Sequence, residues 1–142
     1  MVCNLPSVLH STATNFFEVT LSAAQNVTYC ADSEKVCYAV NVLAATASSG
    51  SGDIYMQISG PSTMSWIGLG QGSSMKGANI FMIYADAAGT NVTLSPRLGT
   101  GNNAPDVDTT TDVTLLSGSG ITNGIMTANI RCEYICPKML DL

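Results

Sequence analysis

The sequence predicts an all-β, single-domain fold, a sandwich or barrel, on three observations. Its apolar runs are short and are cut at close intervals by Gly, Ser, Thr, Asn and Pro. Several of these runs alternate apolar and polar residues with period two, the periodicity of a half-buried strand. No amphipathic stretch is longer than about two helical turns, and there is no tandem repeat or linker.

Residues 1–28 carry the least pattern, with an edge strand around Phe16–Leu21 as the most they offer. The chain therefore divides into an N-terminal segment, 1–28, and one β-domain, 29–142. Val36, Tyr38, Val40 and Val42 alternate with Cys37, Ala39, Asn41 and Leu43, and predict the first clear strand. "ATASSGSGD" reads as a flexible turn. Ile54, Met56 and Ile58 alternate with Tyr55, Gln57 and Ser59, and Gly60-Pro61 is expected to end that strand. "SWIGLG" is a short apolar strand and "QGSSMKG" a loop. "NIFMIYA" has no polar residue after its asparagine and lies between Gly77 and Gly89, too little room for an ordinary helix. It predicts a central strand covered on both faces. "AAGTNVTLSPRLGTG" reads as turn, strand and turn, "NNAPDVDTTTD" as a polar loop, and "VTLLSGSG" as a strand with a glycine-rich exit. In the last strand Met126, Ala128, Ile130 and Cys132 alternate with Thr127, Asn129 and Arg131.

Composition excludes some functions. Ten acidic against five basic residues leave a net charge of −5. The basic residues Lys35, Lys76, Arg97, Arg131 and Lys138 are scattered, whereas a nucleic-acid partner needs them clustered. No apolar run reaches the ~18 residues of a membrane span. The first 29 residues hold no Lys or Arg, so no secretory signal is visible. Other features point outside the cell. Asn26-Val-Thr and Asn91-Val-Thr are glycosylation triplets. Cys30 and Cys37 have six residues between them and Cys132 and Cys136 three, neither of them a zinc spacing. They read as two short-range disulfides formed in an oxidising compartment, with Cys3 left over.

Nucleophilic catalysis finds little support. His10 is the only histidine, and no Gly-x-Ser-x-Gly elbow is present. "GLGQGSS" resembles a phosphate cradle, but a strand rather than a helix is expected after it. Asp106, Asp108 and Asp112 share one polar loop without the glycine and distal glutamate of a calcium loop, and read as solvated. Trp66, the only tryptophan, reads first as a buried core aromatic and second as a sugar-stacking platform. Arg97, among turn residues, is either a solvated charge or the partner of an anionic ligand group. Met75 stands out by position, with Gly72, Ser73 and Ser74 before it and Lys76-Gly77 after it. Met usually fills gaps in a core, and its thioether is also a soft ligand for haem iron or copper.

"WIGLGQGSSM", from Trp66 to Met75, resembles the Trp-x-Gly and Gly-x-x-Met segment of fungal DOMON-type, iron-reductase-like cytochrome domains, including that of cellobiose dehydrogenase. "NIFMIYADAAGTNVTLSPRLGTG" is similar to the family's next strands, with Arg97 at a matching position. "TANIRCEYIC" is similar to its late strand with a close cysteine pair, and "YCADSEKVCYAV" to the opening of its fungal members. The resemblance runs from Cys30 to Cys136. It implies an immunoglobulin-like antiparallel β-sandwich holding haem b, with Met75 as one axial ligand and Trp66 and Arg97 at the cofactor. It also implies one-electron relay to or from a redox partner protein or membrane reductase, in a secreted module that is not catalytic alone.

One departure accompanies this. The family's second ligand is a His after the cysteine pair, whereas here "PKMLDL" follows Cys136 and His10 does not match. The expectation is a domain incomplete at its C-terminal side, whose open strand edge would favour self-association. Met126 is the one substitute ligand considered, and its alternation makes it a core residue first. The alternative function is a haem-free module binding a sugar or small apolar ligand.

Overall fold

The computed structural model describes residues 25–133, apart from 32 and 34. Cys3, His10, the stretch Phe16–Leu21 and Cys136 lie outside the described residues. Within them, ten strands form two antiparallel sheets, the expected all-β sandwich. The first sheet contains β1 (Gln25–Ala31), β2 (Val36–Val42), β3 (Ile54–Pro61), β10 (Ile125–Cys132) and β8 (Val113–Leu115) in that order, with β9 (Gly120–Thr122) also on β10. The second runs β4 (Ile67–Gln71), β5 (Lys76–Ala85), β6 (Val92–Thr100) and β7 (Asp106–Val107).

The period-two residues meet where the sheets face each other. Ile54, Met56, Ile58, Met126, Ala128, Ile130 and Cys132 of the first sheet pack with Ile67, Leu69, Phe81, Ile83 and Val92 of the second. Ile58, Met126, Ala128, Ile130 and Cys132 are wholly buried. A fully buried Met126 on the inner face of β10 is a core side chain, which removes it as a substitute iron ligand. The Tyr38 hydroxyl crosses between the sheets and donates to the Gly68 carbonyl at 3.3 Å.

Several local expectations are corrected. The stretch read as a flexible turn holds a short helix, α1 (Ala44–Ser49), closed by Gly50 in the left-handed conformation at φ 69°. Alanine favours helix, and Gly50 supplies the stop that a side chain with a Cβ resists. Strand β3 ends at Pro61 as expected, but Gly60 also serves it in packing. A Cβ at Gly60 would lie 2.5 Å from Ile67 Cδ1 and 3.1 Å from Val36 Cγ2, so glycine is there for close packing. Strand β1 starts at Gln25, inside the segment read as unpatterned. The loop read at 102–112 contains the two-residue strand β7.

The β1–β2 hairpin is clasped by a disulfide between Cys30 and Cys37, which are direct cross-strand partners with Cα atoms 4.1 Å apart. Cys132 is also disulfide-bonded. No helix among the described residues is long and apolar enough to cross a membrane.

Candidate functional site

The face of the second sheet that points away from the core is built by register. Alternation sends Phe81 and Ile83 inward, so Ile80, Met82 and Tyr84 point outward. Across the strands Gly70 pairs with Ile80, Ile80 with Arg97, and Arg97 with Val107. One row therefore crosses all four strands, with a bare backbone on β4, an isoleucine on β5, a guanidinium on β6 and an exposed valine on β7. Gly68 leaves β4 bare in the neighbouring row as well, opposite Met82.

Trp66 lies over that bare strip. A Cβ placed on Gly68 would touch Trp66 Cζ3 at 3.5 Å and Ile80 Cγ2 at 3.6 Å, so the indole crosses Gly68 beside Ile80. The ring is 58% exposed, which overturns its reading as a core aromatic. A single tryptophan in an apolar run reads as core until the glycines at 68 and 70 are seen to open a shelf on its own face.

Arg97 is half-buried and its Nε donates to the Ser95 hydroxyl at 3.0 Å, two residues along the same face of β6. Among the described residues the ion pair present joins Arg131 to Glu133, on the other sheet. The Arg97 guanidinium therefore has charge left for an anionic group. Met75 ends the loop between β4 and β5, and its side chain is 49% exposed. It does not fill a gap in the core. Its backbone stands over Gly99, where a Cβ would overlap the Met75 carbonyl oxygen and lie 3.1 Å from its carbon. Alternation along β6 puts Gly99 on the same face as Arg97. Lys76, exposed, follows immediately.

The Trp66 ring, the backbone of Met75 and Arg97 thus lie on one face of one sheet. Sequence reading missed Ile80, Val107 and the glycines at 68, 70 and 99. The period-two glycines of "GLG" were the available signal for a strand bare on one side.

The donor set suits a flat, apolar ligand with an anionic rim and a metal that accepts soft donors. A thioether is free to ligate, a ring and aliphatic surface can lie against a macrocycle, and a guanidinium can meet carboxylates. The described residues contain no group of three or more His, Cys, Asp or Glu able to hold a metal ion. A haem here would rely on its porphyrin and axial bonds alone. The only histidine of the chain, His10, lies outside the described residues.

The remaining sequence candidates lie elsewhere. Asp108 takes both hydroxyls and both backbone N–H groups of Thr110 and Thr111, which hold its carboxyl down at about 2. Asp106 and Asp112 are exposed. Asn26 is exposed on edge strand β1, and Asn91 is exposed in the turn between β5 and β6. In that turn Asp86 Oδ1 accepts from the backbone N–H of Thr90 and Asn91 at 2.9 and 3.1 Å, which lowers its pKa.

Residues 9–138 match the family model for the cytochrome domain of cellobiose dehydrogenase. The fold is similar to the cytochrome b domain of pyranose dehydrogenase from Coprinopsis cinerea, with TM-score 0.66 and 21% identity over 75% of this chain and 53% of that one. It is also similar to the cytochrome domain of Myriococcum thermophilum cellobiose dehydrogenase, with TM-score 0.58 and 18% identity over 78% of this chain and 55% of that one. The chain spans about half the length of either solved domain. No curated protein sequence matches it.

Proposed function

The chain belongs to the family of the cytochrome domain of cellobiose dehydrogenase, and from that membership we propose that it is a one-electron relay module with haem b on the outer face of the β4–β7 sheet. The observation that carries this reading is the convergence of Met75, Trp66 and Arg97 on that face, from three separate strands and loops. Bound there, the haem supplies reversible one-electron iron chemistry.

This chain's residues do the rest. Met75 would offer its sulfur to the iron, a soft donor that would favour the reduced metal and raise its potential. Trp66, with Ile80 buried beside it, would supply apolar surface to hold the group and keep water from it. Arg97, oriented by Ser95, would pair with the anionic groups of the cofactor. A further ligand to the iron would have to come from a group outside the described residues. The partner is a redox protein or membrane reductase that carries out the substrate chemistry, and the module alone is not a catalyst. Secretion is supported by the Cys30–Cys37 disulfide, the disulfide-bonded Cys132 and the exposed sequons at Asn26 and Asn91.

The test is the visible spectrum of the purified chain with stoichiometric haem, oxidised and reduced. A low-spin spectrum with split reduced bands is expected, and Met75→Ala should abolish it. A spectrum identical to that of free haem would overturn the proposal. The exposed Trp66 ring favours one second reading, a haem-free module for a sugar or small apolar ligand. Under it, Trp66 fluorescence would respond to an oligosaccharide titration and Met75→Ala would change nothing.

A further inference from the structure

We propose that Gly99 is the seat of the Met75 loop, a positioning residue that sets where the Met75 sulfur stands on the sheet. The geometry is independent of any cofactor, and only its consequence for haem rests on the function proposed above.

Gly99 lies buried within β6, and its φ is not in the left-handed region. Its backbone conformation therefore does not call for glycine. The requirement is steric. A Cβ there would overlap the Met75 carbonyl oxygen, lie 3.1 Å from the Met75 carbonyl carbon and 3.4 Å from the Ala78 nitrogen. All three are backbone atoms, so no rotamer change relieves the contact, and either the loop or the strand has to move.

The loop is closed from both ends around this seat. At its neck, Gln71 and Asn79 are direct cross-strand partners and both are buried. The Asn79 amide donates to Gln71 Oε1 at 3.3 Å, a polar clasp made in the interior. At its tip, the Ala78 N–H donates to the Met75 carbonyl at 3.4 Å, and the Ser74 hydroxyl to the Lys76 carbonyl at 3.1 Å. The Met75 backbone is thus pinned while its side chain remains half exposed. The bulge between Lys76 and Asn79 in the β5–β6 ladder, where Gly77 has φ 77°, lets the chain ride up over Gly99.

The experiment compares Gly99→Ala with Gly124→Ala in cofactor-free protein carrying 13C-labelled methionine methyls. Gly124 sits in a distant hairpin with nothing within 4 Å of its would-be Cβ, so its variant loses stability without touching the loop. Gly99→Ala is expected to shift the Met75 methyl resonance and to speed exchange of the Ala78 amide at least about tenfold, while Gly124→Ala does neither. A folded Gly99→Ala protein with both signals unchanged overturns the proposal. Should Gly99→Ala fail to fold, the wild-type protein decides, since the seat requires a nuclear Overhauser contact between Gly99 Hα and the Ala78 amide, whose nitrogen lies 3.4 Å from the would-be Cβ, and its absence overturns the seat. With haem added, Gly99→Ala should lose the Met75-dependent spectrum that Gly124→Ala keeps. If wild-type protein shows no such spectrum, the haem reading falls, while the methyl and exchange results still decide the seat.

Discussion

Asp108 is the residue whose chemistry differs most from its place in the sequence. It sits in a polar loop with two other aspartates, yet its oxygens are spent on Thr110 and Thr111. The Thr111 hydroxyl is the largest cause of its lowered pKa, from 3.8 to about 2. A depressed carboxyl stabilises the fold above its unfolded pKa and loses that contribution as pH falls through the folded one. The window therefore runs from about 3.8 down to about 2. The group is largely solvated, so a full conversion of the shift would overstate it, and roughly 1 kcal/mol is the expected size. Thr111→Val should lower stability by about that amount at pH 7, with the difference from wild type narrowing towards pH 2. Urea midpoints at both pH values measure it, and a pH-independent difference would mean that the hydroxyl, not the carboxylate, carries the effect.

At the scale of elements, the β9–β10 hairpin isolates one backbone effect. Thr122 pairs directly with Ile125, leaving Asn123 and Gly124 as a two-residue turn with φ 50° and 76°. Two positive φ values in succession are the mark of a type I′ turn, which matches the twist of the flanking strands. Since nothing approaches the would-be Cβ of Gly124, alanine there meets only the left-handed penalty, about 1 kcal/mol. Denaturant unfolding should show that loss with an unchanged m-value. The period-two strands were legible because each residue's face depends only on its neighbours along the chain. Ile54, Met56 and Ile58 were read as one face, and all three are buried. What escaped was set by other strands. The packing role of Gly60 was not legible, because its reason, the Ile67 and Val36 side chains, lies across the sandwich and on the next strand. Helix α1 escaped because its small residues carry no amphipathic period.

For the whole molecule, the same logic separates what holds the fold together from what the fold presents. Met75, Trp66 and Arg97 could each be noticed singly, but their meeting depends on the register that puts Gly70, Ile80, Arg97 and Val107 in one row. No local pattern encodes that row. The outward face of the first sheet is polar, with Gln57 donating to Asn129 at 2.8 Å and Arg131 paired with Glu133. The outward face of the second carries the exposed Trp66 and Val107, with Ile80 buried beside the indole and Arg97 in the same row. Antiparallel sheets usually turn a polar face to water, and under the function proposed above the exposed apolar residues of this face lie against the ligand. This predicts a dissociation of stability from binding. Ile130→Ala removes a wholly buried side chain between the sheets and should cost about 2–5 kcal/mol. Trp66→Ala removes a larger but exposed ring and should change stability by no more than about 0.5 kcal/mol. The same Trp66→Ala protein should bind haem more weakly than wild type, whereas Ile130→Ala, wherever it remains folded, should bind normally. Urea unfolding and haem titration on the two variants read both axes. A Trp66→Ala protein as unstable as Ile130→Ala would mean that the ring belongs to the core after all, and that the apolar face is packing rather than site.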